Sequence, residues 1–236
     1  MTLPYKYDII YLHGGTYMKR NNEQLFAILD EAAEKGITPD LYQYYKGLAN
    51  NRVILAGEIM DDIVENVAIP LLDMIKKNKE IKDRESEGRI VKIDPNFKLA
   101  PIEIIIHSPG GSVYDSMFLA NIIDKAEVPI KVKILGNALS MGMIIAMAGY
   151  NNPNVTKECY GFSIGLIHAG SLKMEGEANA VRDTMEFNDK YSEMMKQYVL
   201  SHSKITEEEY EAHNSKQWYL TADEMLNYGI VDKVIE

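Results

Sequence analysis

Two apolar runs near the middle of the chain anchor its reading. Ile102-Glu-Ile-Ile-Ile-His107 is nearly continuous in β-branched residues, the pattern of a parallel strand buried on both faces. Ile130-Lys-Val-Lys-Ile134 alternates apolar and charged side chains and predicts a second strand. Between them, residues 114–126 carry helical spacing, and after them Met143-Ile-Ile-Ala-Met-Ala148 predicts a short buried helix ending at Gly149. Strand, glycine turn, helix and strand make a βαβ unit, whose right-handed crossover brings both following loops to one carboxyl edge of a sheet. Further along, Phe162-Ser-Ile-Gly-Leu-Ile-His168 reads as a strand, after a connector at residues 150–155. A long helical pattern over residues 177–201 sets Val181, Met185, Tyr191, Met195 and Tyr198 close to one face. A shorter one covers residues 22–35 and is closed by Gly36. The run from Lys76 to Gly88 is so highly charged that it predicts a solvated loop.

The loops at that carboxyl edge hold the candidate chemistry. In Gly136-Asn-Ala-Leu-Ser140-Met-Gly142 a serine sits at a strand-to-helix bend. Backbone N–H groups at a helix start lack intrahelical acceptors, and the positive end of the helix dipole lies behind them. A hydroxyl placed there is a candidate nucleophile with stabilisation for an oxyanion; it is equally a candidate for a plain N-cap. Ser108-Pro-Gly-Gly-Ser112 follows the first strand, and its glycines let the backbone approach a ligand and turn an N–H toward it. Gly111 and Ser140 are 29 residues apart, about one βαβ unit, so the two loops are expected to face each other.

These residues resemble the proteolytic subunit of the Clp peptidases, in which a Ser-Pro-Gly-Gly loop gives an oxyanion donor and Ala-Ser-Met-Gly carries the nucleophile. Leu139 stands where that family usually has a second alanine. The resemblance runs from Asn51-Arg-Val-Ile-Leu-Ala-Gly-Glu-Ile59 to Tyr228-Gly-Ile-Val-Asp-Lys-Val234, about the last three-quarters of the chain. It implies an α/β fold of repeated ββα units, with a parallel sheet flanked by helices and a protruding handle helix at about residues 177–201. It implies an N-terminal extension over residues 1–50 and a peptidase domain over residues 51–236. The oxyanion donors it implies are the backbone N–H groups of Gly111 and Met141.

Among the histidines His13, His107, His168, His202 and His213, the resemblance selects His168 as the base, at the end of its strand and 28 residues after Ser140. Ala169-Gly170 follows it where the family usually has Gln-Pro. His107 precedes the Gly-Gly loop, at a position where the family commonly has asparagine. The family's orienting aspartate lies five residues before the alanine of a segment that is Leu220-Thr-Ala222 here, and that position is Gln217. An amide oxygen can accept a hydrogen bond from the histidine, yet it cannot stabilise an imidazolium. The expectation is therefore a weakened peptidase. Glu211, Asp223 and Glu224 are the nearest carboxylates in sequence, but Thr221-Ala-Asp-Glu224 reads as a capping box that occupies Glu224.

Composition adds limits. A net charge of −10 argues against nucleic acid as the main partner, and 46% hydrophobic residues support a large core. The single cysteine, Cys159, rules out an internal disulfide and, with no basic-then-apolar leader visible, leads to an expected cytoplasmic location. The apolar stretch around Ser140 is too short and too interrupted to span a membrane. No spacing suggests a metal site, the His13-Gly-Gly-Thr16 run reads as a turn, and no cofactor is expected. Without a phosphate-cradling loop, any ATP would be used by a separate AAA+ unfoldase partner. The resemblance implies self-assembly into stacked seven-membered rings that degrade unfolded or dedicated protein substrates. Seven of the 15 tyrosines fall within residues 1–50, an enrichment typical of interfaces. Two other readings stay open: a catalytically impaired ring subunit, and a crotonase-type acyl-CoA enzyme, which uses a similar oxyanion architecture without a Ser/His pair.

Overall fold

β1 (Arg52–Ile59), β2 (Ile102–Gly111), β3 (Ile130–Leu139) and β4 (Val155–Tyr160) lie side by side and parallel, with β7 (Lys233–Ile235) at the far edge beside β4. A computed structural model describes residues 50–87, 99–170, 175–213 and 215–236. The chain divides into two units, Met1–Gln43 and Tyr44–Glu236, and every described residue belongs to the second. The helix expected at residues 22–35, His13 and the N-terminal tyrosines lie outside the described residues.

Helices connect the strands. A π-helical turn, Val64–Ala68, runs into α1 (Ile69–Ser86), and α2 (Val113–Asp124) follows β2. After β3 come α3 (Met141–Met147), β4 and β5 (Ile164–Ile167). Then follow α4 (Ala178–Ser201), α5 (Glu207–His213), β6 (Trp218–Leu220), α6 (Ala222–Asn227) and β7. The result is a mixed α/β fold built on a mostly parallel sheet flanked by helices.

β3 is the pivot. Its first half pairs with β4, from Ile130↔Val155 to Ile134↔Cys159, and its second half pairs with β5, from Asn137↔Ile164 to Leu139↔Leu166. Ser163 marks the changeover: its buried hydroxyl donates to the Ile134 carbonyl at 2.8 Å and accepts the Tyr160 N–H at 3.1 Å. β6 then adds antiparallel to β5, from Gly165↔Leu220 to Ile167↔Trp218. Residues 150–154 are a connector and Val155, expected within it, opens β4, which carries no strong pattern because Thr156, Lys157 and Glu158 interrupt its apolar positions.

Two expectations change. The charged run after Lys76 is helix, continuous with α1 to Ser86. Leu71, Met74 and Asn78 are buried, and Ile75, Ile81 and Glu85 are half-buried at helical spacing; the exposed Lys, Glu and Arg between them are good helix formers. β2 is buried on one face only. Ile102, Ile104 and Ile106 are fully buried, as are Ile130 and Ile134, whereas Glu103 and Ile105 on the other face are half-buried. On that face Arg52, Glu103, Lys133, Glu158 and Lys131 form a ladder of ion pairs from β1 to β4. Burial alone would raise the Glu103 carboxyl, but hydrogen bonds from Lys133 and Arg52 hold it below its ordinary range.

α4 stands apart in its burial. Of its 24 residues only Val199, near its C-terminal end, is buried. That end is tied down by Asp124, which accepts the Gly149 N–H at 2.5 Å and the Tyr198 hydroxyl at 2.9 Å and lies 3.3 Å from His202.

Candidate active site

Sheet register explains how the loops meet. β3 carries two more residues than β2 between the pairs Ile106↔Ile134 and Ser108↔Ala138, and two steps further on Gly110 comes level with Ser140. The approach is so close that a Cβ on Gly110 would lie 2.7 Å from both the Leu139 carbonyl oxygen and Ser140 Cβ. Gly110 also has φ +98°, so only glycine meets both demands.

Ser140 leaves the strand with φ 54° and ψ −122°, a left-handed bend that is strained for a residue with a side chain. Its N–H donates to the Leu166 carbonyl at 2.9 Å, and its carbonyl accepts the Met143 N–H at 2.9 Å. Its side chain makes no capping bond to α3, so the plain N-cap reading fails: this conformation aims Oγ away from its own helix. Oγ instead lies 2.8 Å from His168 Nε2.

His168 reaches that place by following β5. Ile164, Gly165 and Leu166 pair with Asn137, Ala138 and Leu139, so the end of β5 runs beside the Ser140 bend. The end of Met143 in α3 packs against Gly165, 2.0 Å from where a Cβ would lie, so a side chain there would displace it. On its other side β5 pairs with β6, and continuing Ile167↔Trp218 by one antiparallel step sets His168 opposite Gln217. The Gln217 amide nitrogen lies 3.5 Å from His168 Nδ1. Ser140, His168 and Gln217 thus form one line. The expected amide oxygen is not the atom facing Nδ1; a half turn of the amide would exchange the two.

Each remaining described histidine is engaged elsewhere. His107 Nδ1 accepts the Asn137 N–H at 3.4 Å, His202 stacks on Tyr198 beside Asp124, and His213 bonds the Glu209 carbonyl through Nδ1 while stacking on Trp218. Two of the three carboxylates near Gln217 in sequence also have partners. Glu224 accepts the Thr221 N–H at 2.7 Å in the capping box the sequence suggests, and Glu211 pairs with Lys196.

The glycine loop faces the serine with its amides sorted. The Gly110 N–H donates to Ser108 Oγ at 3.1 Å and the Ser112 N–H to the Ile59 carbonyl at 2.7 Å. Gly111 is paired with Ile59 at its Cα, and a Cβ there would lie 2.2 Å from the Ile59 carbonyl oxygen. Met141 is the first residue of α3, so its N–H has no acceptor within that helix. The bend at Ser140 is where the sequence puts it; its positive φ and the burial of Ser108 are not legible there, because positive φ leaves no trace in a non-glycine residue and Ser108 looks like any loop serine.

With a serine hydroxyl on a histidine, a strained bend at a helix start and a glycine strand against it, the site has the arrangement of an acyl-transfer enzyme. A sequence model described as Clp protease matches residues 80–236, two-thirds of the chain and all of the site. The chain belongs to the Clp protease family.

Proposed function

We propose that this protein is a serine endopeptidase subunit working through an acyl-enzyme, with Ser140 as nucleophile, His168 as base and Gln217 in place of the orienting acid. The 2.8 Å contact between Ser140 Oγ and His168 Nε2 carries the reading. The Oγ–carbon bond forms as the hydroxyl proton passes to Nε2; the scissile C–N bond then breaks and that proton leaves with the amine. Water reverses the sequence to release the acid. The N–H groups of Met141 and Gly111 receive the oxyanion. In its favour for Gly111, the neighbouring amides of Gly110 and Ser112 are both committed on the β1 side of the loop.

His168 acts as a base only when its proton sits on Nδ1. With the Gln217 nitrogen donating toward Nδ1, that proton belongs on Nε2, the unreactive tautomer; with the amide turned, the oxygen accepts Nδ1–H and Nε2 is ready. Either way no carboxylate offsets the imidazolium charge. In the chymotrypsin-type triad the aspartate-to-asparagine change costs about 10⁴ in turnover, so the expected enzyme is slow. An impaired ring subunit is the second reading, favoured by this same 3.5 Å amide contact.

Self-association into stacked rings, usual in the family, fits the long exposed α4, and the substrates proposed are unfolded or dedicated proteins delivered by a separate ATP-driven unfoldase. Neither metal nor cofactor enters the steps above. No helix among the described residues is long and apolar enough to cross a membrane.

The test is labelling by a fluorophosphonate probe with mapping of the modified peptide, on the wild type, Ser140→Ala and Gln217→Asp. Labelling at Ser140, faster in Gln217→Asp and absent in Ser140→Ala, is expected. A modified residue other than Ser140, or no labelling even in Gln217→Asp, overturns the assignment. Thioester turnover that survives Ser140→Ala would point instead to a crotonase-type enzyme.

A further inference from the structure

Ser108 is fully buried, polar, and one strand away from the serine that performs the chemistry. A buried hydroxyl needs partners, and this one has a donor and an acceptor role at once. Its O–H donates to the Gly57 carbonyl at 2.6 Å, and its Oγ accepts the Gly110 N–H at 3.1 Å.

Both partners lie where the backbone departs from regular sheet. Gly57, at φ +88°, sits at the irregularity where the β1–β2 register slips between Ala56↔His107 and Glu58↔Gly110. Gly110 is the residue that touches Ser140 and Met141. Ser108 also underlies the nucleophile helix: a Cβ on Gly142, the second residue of α3, would lie 3.3 Å from Ser108 Cβ and from its carbonyl oxygen. One side chain therefore contacts the β1 irregularity, the glycine loop and the start of α3.

The loop has a choice that this contact settles. Peptide units flanked by glycines rotate at little steric cost, so the glycine pair alone does not fix which way its amides point. The Gly110 N–H belongs to the Pro109–Gly110 peptide unit, so fixing it on a buried acceptor sets the direction from which the Gly110–Gly111 unit, which carries the Gly111 N–H, continues. We propose that Ser108 is a positioning residue for the oxyanion site: by holding the Gly110 amide inward it leaves the Gly111 amide aimed at the carbonyl under attack by Ser140. This rests on the peptidase reading above. A pre-set donor helps chiefly in the transition state, where the charge develops, so its loss falls on kcat more than on KM.

The experiment compares wild type, Ser108→Ala and Ser108→Cys in the full chain with a fluorogenic peptide, counting active sites by fluorophosphonate titration. Cysteine preserves the volume beside Gly142 but is a weak hydrogen-bonding partner, so it separates bonding from packing. Both variants are expected to lose about 10- to 100-fold in kcat per titrated site, up to the loss of a whole oxyanion donor, with KM within about twofold. Wild-type kcat in the cysteine variant overturns the proposal, because shape alone would then suffice. So does a loss confined to KM or to the number of titrated sites. If Ser108→Ala does not fold, the cysteine variant decides alone. A wild type that is never labelled at Ser140 defeats the peptidase reading and this inference together, whereas labelled wild type with fully active variants defeats only the inference.

Discussion

At the residue scale the site combines one well-made contact with one weak one. Ser140 Oγ and His168 Nε2 are at ordinary hydrogen-bond distance, while the Gln217 amide stands at the outer limit of contact with Nδ1. The weak contact is the one that sets tautomer and charge. Gln217→Glu keeps the side-chain shape and puts an acceptor-only carboxylate at that place, so it should raise kcat, by about 10²-fold if it recovers half of the logarithmic loss of an amide-for-acid change. Steady-state hydrolysis of a fluorogenic peptide checks this, and an unchanged kcat would show that residue 217 does not orient His168. Gly110→Ala tests the opposite side of Ser140. The new methyl would meet Ser140 Cβ at 2.7 Å and force an alanine to φ +98°, which by itself costs about 1–3 kcal/mol. Activity should fall below detection and the melting midpoint should drop in a thermal scan.

At the element scale, what was legible from sequence depended on how periodic each segment is. α2 and α4 show regular apolar spacing and end within two residues of it, whereas β2 and β3 start where the pattern starts but run on to Gly111 and Leu139, through residues read as loop. The two loops at the carboxyl edge followed from the βαβ argument, and their mutual approach is what the register slips deliver. α1 was misread because its outer faces are charged and its inner stripe includes the buried amide of Asn78. β4 was hidden because Lys157 is buried where a strand would normally place an apolar side chain. Lys157 extends from β4 to the end of α3, with Nζ 3.5 Å from the Met147 carbonyl and 4.9 Å from the Tyr150 ring. A cation there complements the negative end of α3. Burial pulls its pKa down to about 8, against the opposing charges of Asp232 and Asp124. The unfolded chain titrates near 10.5, so between these values unfolding takes up a proton and stability rises with pH. Cys159, which burial pushes up to about 11 from 9.0, works in the opposite sense, mostly above pH 9. From pH 8 to 9 the lysine dominates, with a gain of about 1 kcal/mol that the thiol offsets by only about 0.4 kcal/mol. Urea denaturation of wild type and Lys157→Met at the two pH values should show stability changing about 1 kcal/mol more favourably in the wild type; the same change in both would assign the gain elsewhere.

At the scale of the whole molecule, α4 is the element whose burial does not match its chemistry. Twenty-four residues give a helix of about 36 Å, and a single buried residue at its root cannot account for Met185, Phe187 and Met194 being more than half exposed. Phe187 and Tyr191 lie 6.0 Å apart between ring centroids, and Tyr191 is 6.1 Å from Tyr114 of α2, so an aromatic cluster continues the exposed stripe. The root is held by Asp124, whose carboxyl burial alone would raise, but which His202, Gly149 and Tyr198 together keep below its ordinary range. A helix fixed at one end and carrying exposed apolar residues among charged ones along its free length has the form of an assembly element, and the proposed stacked rings give those residues a place to be buried. Two rings of seven subunits of 26.7 kDa would weigh about 370 kDa. Phe187→Asp with Met194→Asp places two charges among those exposed residues and leaves Ser140, His168 and the buried Val199 untouched. Size-exclusion chromatography with light scattering should then show the assembly reduced to single rings or smaller species, with the circular dichroism spectrum of the subunit retained. If the wild type elutes as a monomer, or the double variant keeps the full assembly mass, α4 does not join the rings and its exposed apolar residues need another partner.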